Sequence, residues 1–133
     1  MKATRIMAAA ALIAVSGLAM QAAHAQWAGI QRTDLVKDGI SAPGREVVQV
    51  RVDFDPGVSS PKHSHQGEEV AYVLEGTFEY HLEGRPPITL KAGEALFIPA
   101  GVAHVAKNVG SGKASELATY IVKSGVPLST AAK

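Results

Sequence analysis

The feature that most constrains this chain is a run of short alternating segments, each stopped by glycine or proline. In REVVQVRVDF (45–54), Val48, Val50, Val52 and Phe54 fall on one face and Gln49, Arg51 and Asp53 on the other. A period of two is that of a half-buried strand. DPG (55–57) then signals a turn. EVAYVLEG (69–76) is rich in β formers and stops at Gly76, and TFEYHLEG (77–84) puts Phe78, Tyr80 and Leu82 on one face. After the turn GRPP (84–87), ITL and KAG give a short strand and a further turn. EALFIPAG (94–101) is a strand ending at a Pro-x-Gly corner, VAHVAKNVG (102–110) is another, and SELATYIV (115–122) is the last long one. About seven or eight strands at this spacing, with no sustained helical period after the N-terminal region, predict an all-β antiparallel sandwich or barrel. QWAGIQRTDLVKDGI (26–40) has no clean period and reads as either an arm or an edge strand. PLSTAAK (127–133) reads as a frayed tail.

The first 25 residues differ in character. Lys2 and Arg5 precede the apolar run IMAAAALIAVSGLAM (6–20), and QAAHA then sets Ala23 and Ala25 at small-x-small positions. That order is the order of a secretory signal peptide. The apolar run is shorter than the roughly 20 residues a membrane span needs. The expected organisation is a cleavable signal peptide over 1–25, an N-terminal arm over 26–43, a barrel over 44–122 and a C-terminal tail over 123–133. The mature protein is then periplasmic or secreted, with no stable membrane insertion. Its 108 residues suit one domain and one core.

Without Lys2 and Arg5, 11 basic residues face 12 acidic ones, so the mature chain carries a net charge of −1. It has no basic cluster, and no nucleic-acid partner is expected. With no cysteine, neither a disulfide nor a lipidated cysteine can hold an exported fold. Packing must do so, helped by a metal or by self-association.

His63 and His65 stand one residue apart, four residues before Glu69. On a strand, residues i and i+2 point to the same side, so the two imidazoles aim together. If the strand resumes at Glu69 with its side chain turned the same way, the carboxylate joins them. His104 lies in a second strand after a Pro-Gly corner. A barrel brings such strands together. Three imidazoles and a carboxylate form a donor set suited to Fe, Mn, Ni, Co, Zn or Cu. A lone His-x-His can equally be a solvated turn. A buried Glu is harder to set aside, because an unpaired buried carboxylate is costly. His81 is out of phase with Phe78, Tyr80 and Leu82 and reads as a surface residue, as does Glu68.

These residues sit in two spaced patterns. The first is Gly57, His63, His65, Glu69 and Gly76; the second is Gly93, Pro99, Gly101, His104 and Asn108, with residues 77–92 between them. The two resemble the first and second cupin motifs at every defining position. The resemblance covers about 44–122 and implies a small single-domain cupin, a jelly-roll β-barrel (double-stranded β-helix). Carried over residue by residue, it implies one divalent transition-metal ion held by His63, His65, Glu69 and His104. The glycines serve turns, Pro99 fixes a corner, and Asn108 ties down the following turn through its amide. Phe78, Tyr80, Leu96 and Ile98 alternate onto the inner face, and Tyr72, out of phase with Glu69, takes an outward or inter-subunit place.

The cupin architecture hosts many activities. Small cupins of this pattern resemble quercetin-type dioxygenases, so the first expectation is a metal-dependent dioxygenase or related oxidoreductase acting on a small organic molecule. The alternatives are a non-catalytic module that binds a small ligand or metal, and a metal-dependent isomerase or decarboxylase. A homodimer is expected, with the segment 26–40 and an exposed Trp27 lying across a neighbour.

Overall fold

Alternation decides which side of each strand is buried, and the computed structural model, which describes residues 27–133, follows it closely. The expected signal peptide over 1–25 lies outside the described residues. Ten strands run in chain order: β1 (Ile30–Gly39), β2 (Arg45–Phe54), β3 (His63–Ser64), β4 (Gly67–Glu75), β5 (Thr77–Leu82), β6 (Ile88–Lys91), β7 (Ala95–Ile98), β8 (His104–Asn108), β9 (Ala114–Lys123) and β10 (Thr130–Ala131). Among the described residues none is helical.

The strands form two five-stranded antiparallel sheets, ordered β1-β2-β9-β4-β7 and β10-β3-β8-β5-β6. The inward residues of β2 (Val48, Val50, Val52, Phe54) meet Phe78, Tyr80 and Leu82 of β5 in one core, with Ile98, Ala118, Tyr120 and Val122. Phe54 and Phe78 pack edge to face with centroids 5.0 Å apart, an arrangement the ring quadrupoles favour. Tyr72 faces solvent, as expected, and Leu96 packs half-buried against the core.

The segment after the leader takes one of its two expected forms, and the C-terminal tail departs from expectation. The segment read as an arm or an edge strand is the edge strand β1, paired with β2 along its length and bulged at Leu35. Trp27 is half-buried, with its ring 5.6 Å from that of His63 rather than exposed for a neighbour. The tail does not fray. Its β10 pairs with β3, so the short His63–Ser64 strand gains a partner on its open side. Alternation gives no warning of either pairing, because both depend on backbone groups left open by distant strands.

The Asn108 amide holds the second turn as expected. Its Nδ2 donates to the carbonyls of Phe54, Asp55 and Gly112, and its Oδ1 accepts from the Gly110 N–H.

One glycine that is not a defining position of either motif controls the path through the site. Between β3 and β4 the chain leaves one sheet and enters the other. At Gly67 the backbone presses on β9 so closely that a Cβ would stand 2.0 Å from the Ile121 carbonyl oxygen and 2.6 Å from the Val122 Cα. Backbone cannot yield as a side-chain tip can, so overpacking here should cost more than the usual 1–3 kcal/mol. Gly67→Ala is expected to lower the melting temperature by roughly 10 °C or more, or to prevent folding. Gly112→Ala, where a Cβ meets nothing within 4 Å, should melt within a few degrees of the parent. Equal melting of the two variants would refute this account of the crossing.

Candidate metal centre

The four polar residues read from the sequence converge, with His104 on a second strand as expected and Glu69 on the opposite sheet rather than on a strand resumed from His63 and His65. His63 and His104 are cross-strand partners in the β3–β8 pair. His65 follows in the crossing segment, and Glu69 points in from β4 on the opposite sheet. All four are buried, at 2–7% exposure. One nitrogen from each of His63, His65 and His104 lies within 4.8 Å of the others. Glu69 Oε2 is 3.0 Å from His65 Nε2 and 3.3 Å from His104 Nε2. His81, by contrast, lies on the surface against Glu79, with His81 Nε2 and Glu79 Oε1 2.5 Å apart.

The backbone sets the ring orientations. The Nδ1–H groups of His63, His65 and His104 donate to the carbonyls of Pro61 (2.7 Å), Leu128 (2.6 Å) and Val102 (2.9 Å). A carbonyl oxygen only accepts, so each Nδ1 must carry its proton. In the neutral ring this leaves the Nε2 lone pair free. Such a second bond from Nδ1–H is the usual support of a metal-ligating histidine. The Leu128 carbonyl comes from the C-terminal segment, which gives that segment a part in the site.

The Nε2 atoms and the carboxylate do not satisfy one another. His65 Nε2 and Glu69 Oε2 are close, yet both are buried without a well-formed hydrogen bond. Their contact is electrostatic and poorly aligned. Burial opposes ionisation of Glu69, but the neighbouring His104 and His65 outweigh it and hold the carboxyl below its usual range. At His104 burial works against charge, and Glu69 reverses the balance, so its pKa rises. Burial lowers His63 to about 4, helped by repulsion from His104 and His65, so that ring is a neutral donor near pH 7. Two orphaned buried atoms and three oriented imidazoles make a donor set that fits a divalent transition metal.

Above this floor lies a narrow cavity of about 300 Å³, its open mouth included, walled by Val52, Phe54, Tyr80, Glu116 and Tyr120. Sequence reasoning passed over Glu116 and Tyr120. The signal was present: Glu116 is in phase with Ala118, Tyr120 and Val122, so an acid stands on the apolar face of β9. The Tyr80 hydroxyl donates to Glu116 Oε2. Burial, with the charge of Glu69, pushes Glu116 up to about 7. The Tyr80 and Tyr120 hydroxyls are driven well above their ordinary values, first by burial and then by Glu116 and Glu69 respectively.

A carboxyl raised in the folded state stabilises fully below its unfolded value of 4.5, and that stability is lost as pH rises through about 7. Glu116→Gln keeps the shape and removes the ionisation. In metal-free protein, the melting temperature of Glu116→Gln relative to the parent should therefore increase from pH 4.5 to 8. The limit is on the order of 3 kcal/mol. Parallel melting curves across that range would show that Glu116 ionises normally.

Comparison with known proteins bears on the same residues. Residues 50–120 match the Cupin domain family model. The chain is 36% identical over 86 residues to germin-like protein subfamily 2 member 2 of Arabidopsis thaliana, covering 59% of this chain and 39% of that protein. It is 34% identical over 73 residues to the oxalate-binding protein of Thermotoga maritima, covering 54% of this chain and 60% of that one. The chain thus spans less than two thirds of either relative. A solved structure of recombinant oxalate oxidase in complex with glycolate superposes with a TM-score of 0.63 at 28% identity, over 77% of this chain and 54% of that one. With the family model covering more than half its length and its two sheets arranged as a jelly roll, this chain belongs to the cupin family.

Proposed function

We propose that His63, His65, Glu69 and His104 hold one divalent transition-metal ion, and that the protein is a metal-dependent dioxygenase or related oxidoreductase acting on a small organic molecule. The observation that carries the reading is the tethering of all three Nδ1–H groups to backbone carbonyls, which leaves the Nε2 atoms beside a buried carboxylate. A bound ion would supply Lewis-acid or redox chemistry at positions these four donors leave open. The chain does the rest. Backbone carbonyls keep the imidazoles oriented, Val52 and Phe54 exclude water, and the Tyr80–Glu116 pair holds a proton at the cavity wall. A second reading, a non-catalytic binding module, draws support from the relative named as an oxalate-binding protein.

Glu69→Gln preserves volume and removes the charge. Metal per chain, measured by elemental analysis, should collapse while the β-sheet circular dichroism survives. His81→Ala should keep its metal. For the parent, at free metal about 100-fold above its dissociation constant, binding adds about 2.7 kcal/mol, so a chelator should lower the melting temperature by roughly 10 °C or more. Full metal in Glu69→Gln, or loss in His81→Ala, would refute the ligand set. Oxygen uptake by the metal-loaded protein, tested against enediols, diketones, flavonols and oxalate, separates the two readings: silence throughout favours the binding module.

We also propose export and pairing. Intact mass of exported protein should match a chain starting at Gln26. Val70, Tyr72, Leu74, Phe97 and Ile121 are exposed apolar residues on the β1-β2-β9-β4-β7 sheet, the kind of surface that pairing covers. Light scattering at micromolar concentration should report a homodimer. A retained Met1 would overturn the first claim and a monomer the second.

A further inference from the structure

The mouth of the cavity carries a group that the metal reading does not use. Arg32 lies on β1 opposite Val52 of β2. Val52 is 2% exposed and points into the core, so Arg32 shares the inward face of the sheet. Its guanidinium lines the cavity, lies beside the Tyr120 hydroxyl, and stays open to solvent on its outer side. Among the described residues no other lysine or arginine lines the cavity. Among the described residues no carboxylate stands within ion-pair distance of it. Glu116 is near enough to feel its charge but already accepts from Tyr80. A cation is thus held by a ten-residue paired strand at the entrance to a site whose floor is three imidazoles and a carboxylate.

We infer that Arg32 is the anion anchor of this cavity and that the ligand is a small organic acid. One carboxylate pairs with Arg32 beside Tyr120, and the remaining oxygen-bearing end extends toward the histidine floor. The inference rests on the proposed metal reading and names the ligand class for that site. A planar guanidinium matches a carboxylate with two parallel N–H donors, which a neutral ligand cannot reciprocate. The cavity is narrow, closed in by Val52, Phe54, Tyr80 and Tyr120, which favours an acid of a few atoms over a bulky aromatic.

The test is calorimetric titration of oxalate and glycolate, with ethylene glycol as the uncharged comparator, into metal-loaded parent, Arg32→Gln and Arg32→Lys, with metal content measured on each. The parent should bind both acids and prefer them to ethylene glycol. Arg32→Gln should weaken both acids by about tenfold or more, the scale of one charge-assisted pair, with metal content unchanged. Arg32→Lys keeps the charge and loses the fork, so its loss should be smaller. If Arg32→Gln does not fold, Arg32→Lys carries the test: the acids must bind more weakly at unchanged metal content, and no weakening overturns the anchor. Equal affinity in Arg32→Gln and the parent overturns it too, as does a parent that binds ethylene glycol as tightly as glycolate. If the parent takes up no metal yet binds the acids in an Arg32-dependent way, the anchor stands and the metal reading falls. If it takes up metal but the acids ignore Arg32, the reverse holds.

Discussion

A carboxylate at 3% exposure in the middle of a β-sandwich is the constraint around which this structure is arranged. Glu69 cannot be left unpaired there without a cost of several kcal/mol, and its near neighbours are imidazoles rather than a fixed cation. In the metal-free protein, protons must supply the positive charge, which is why Glu69 is held low while His104 is raised. That solution cannot extend to every ring. His63 is pushed down by burial and by its histidine neighbours, because several imidazolium charges in one dry site repel. A single compact divalent charge would satisfy the carboxylate and the Nε2 lone pairs at once, and this is the physical case for a metal.

The scaffold features follow from that need. His63 faces His104 because β3 pairs with β8. Glu69 meets them because the chain changes sheets at Gly67, where only a residue without Cβ passes β9. His65 keeps its orientation because the Leu128 carbonyl accepts from its Nδ1. The C-terminal segment therefore belongs to the site as much as the histidine segment does, and β10 holds it there by pairing with β3.

Legibility in the sequence follows the range of the interactions. Period-two alternation depends on near neighbours, so the buried faces of β2 and β5 could be read directly. The turn glycines and Asn108 could be read too, since each serves a local backbone problem. His63, His65, Glu69 and His104 are visible as a spaced pattern, and a second strand for His104 is too, but the change of sheet between His65 and Glu69 is not. β1 and β10 were harder, because an edge strand has one partner and no alternating burial of its own. All but its first residue are exposed in β1. Glu116 was legible in principle, as an acid in phase with Ala118 and Tyr120. Arg32 was not, since its inward direction comes from its register against Val52.

The same division separates what the family likeness carries from what this chain adds. The matched segment, 50–120, contains the four proposed ligands and Glu116, but neither Arg32 nor Trp27 nor Leu128. The floor of the cavity is thus a property of the jelly roll and its two motifs, whereas the mouth and one of the histidine tethers come from the flanking strands and segments. A fold shared by many activities leaves specificity to the groups grafted on it. In this chain the flanking segments bring a cation on β1 and an aromatic ring against His63, while the tyrosine–carboxyl pair on the wall lies within the matched segment. On the proposed anchor, ligand choice turns on a residue of β1 that stands apart from the four residues of the floor.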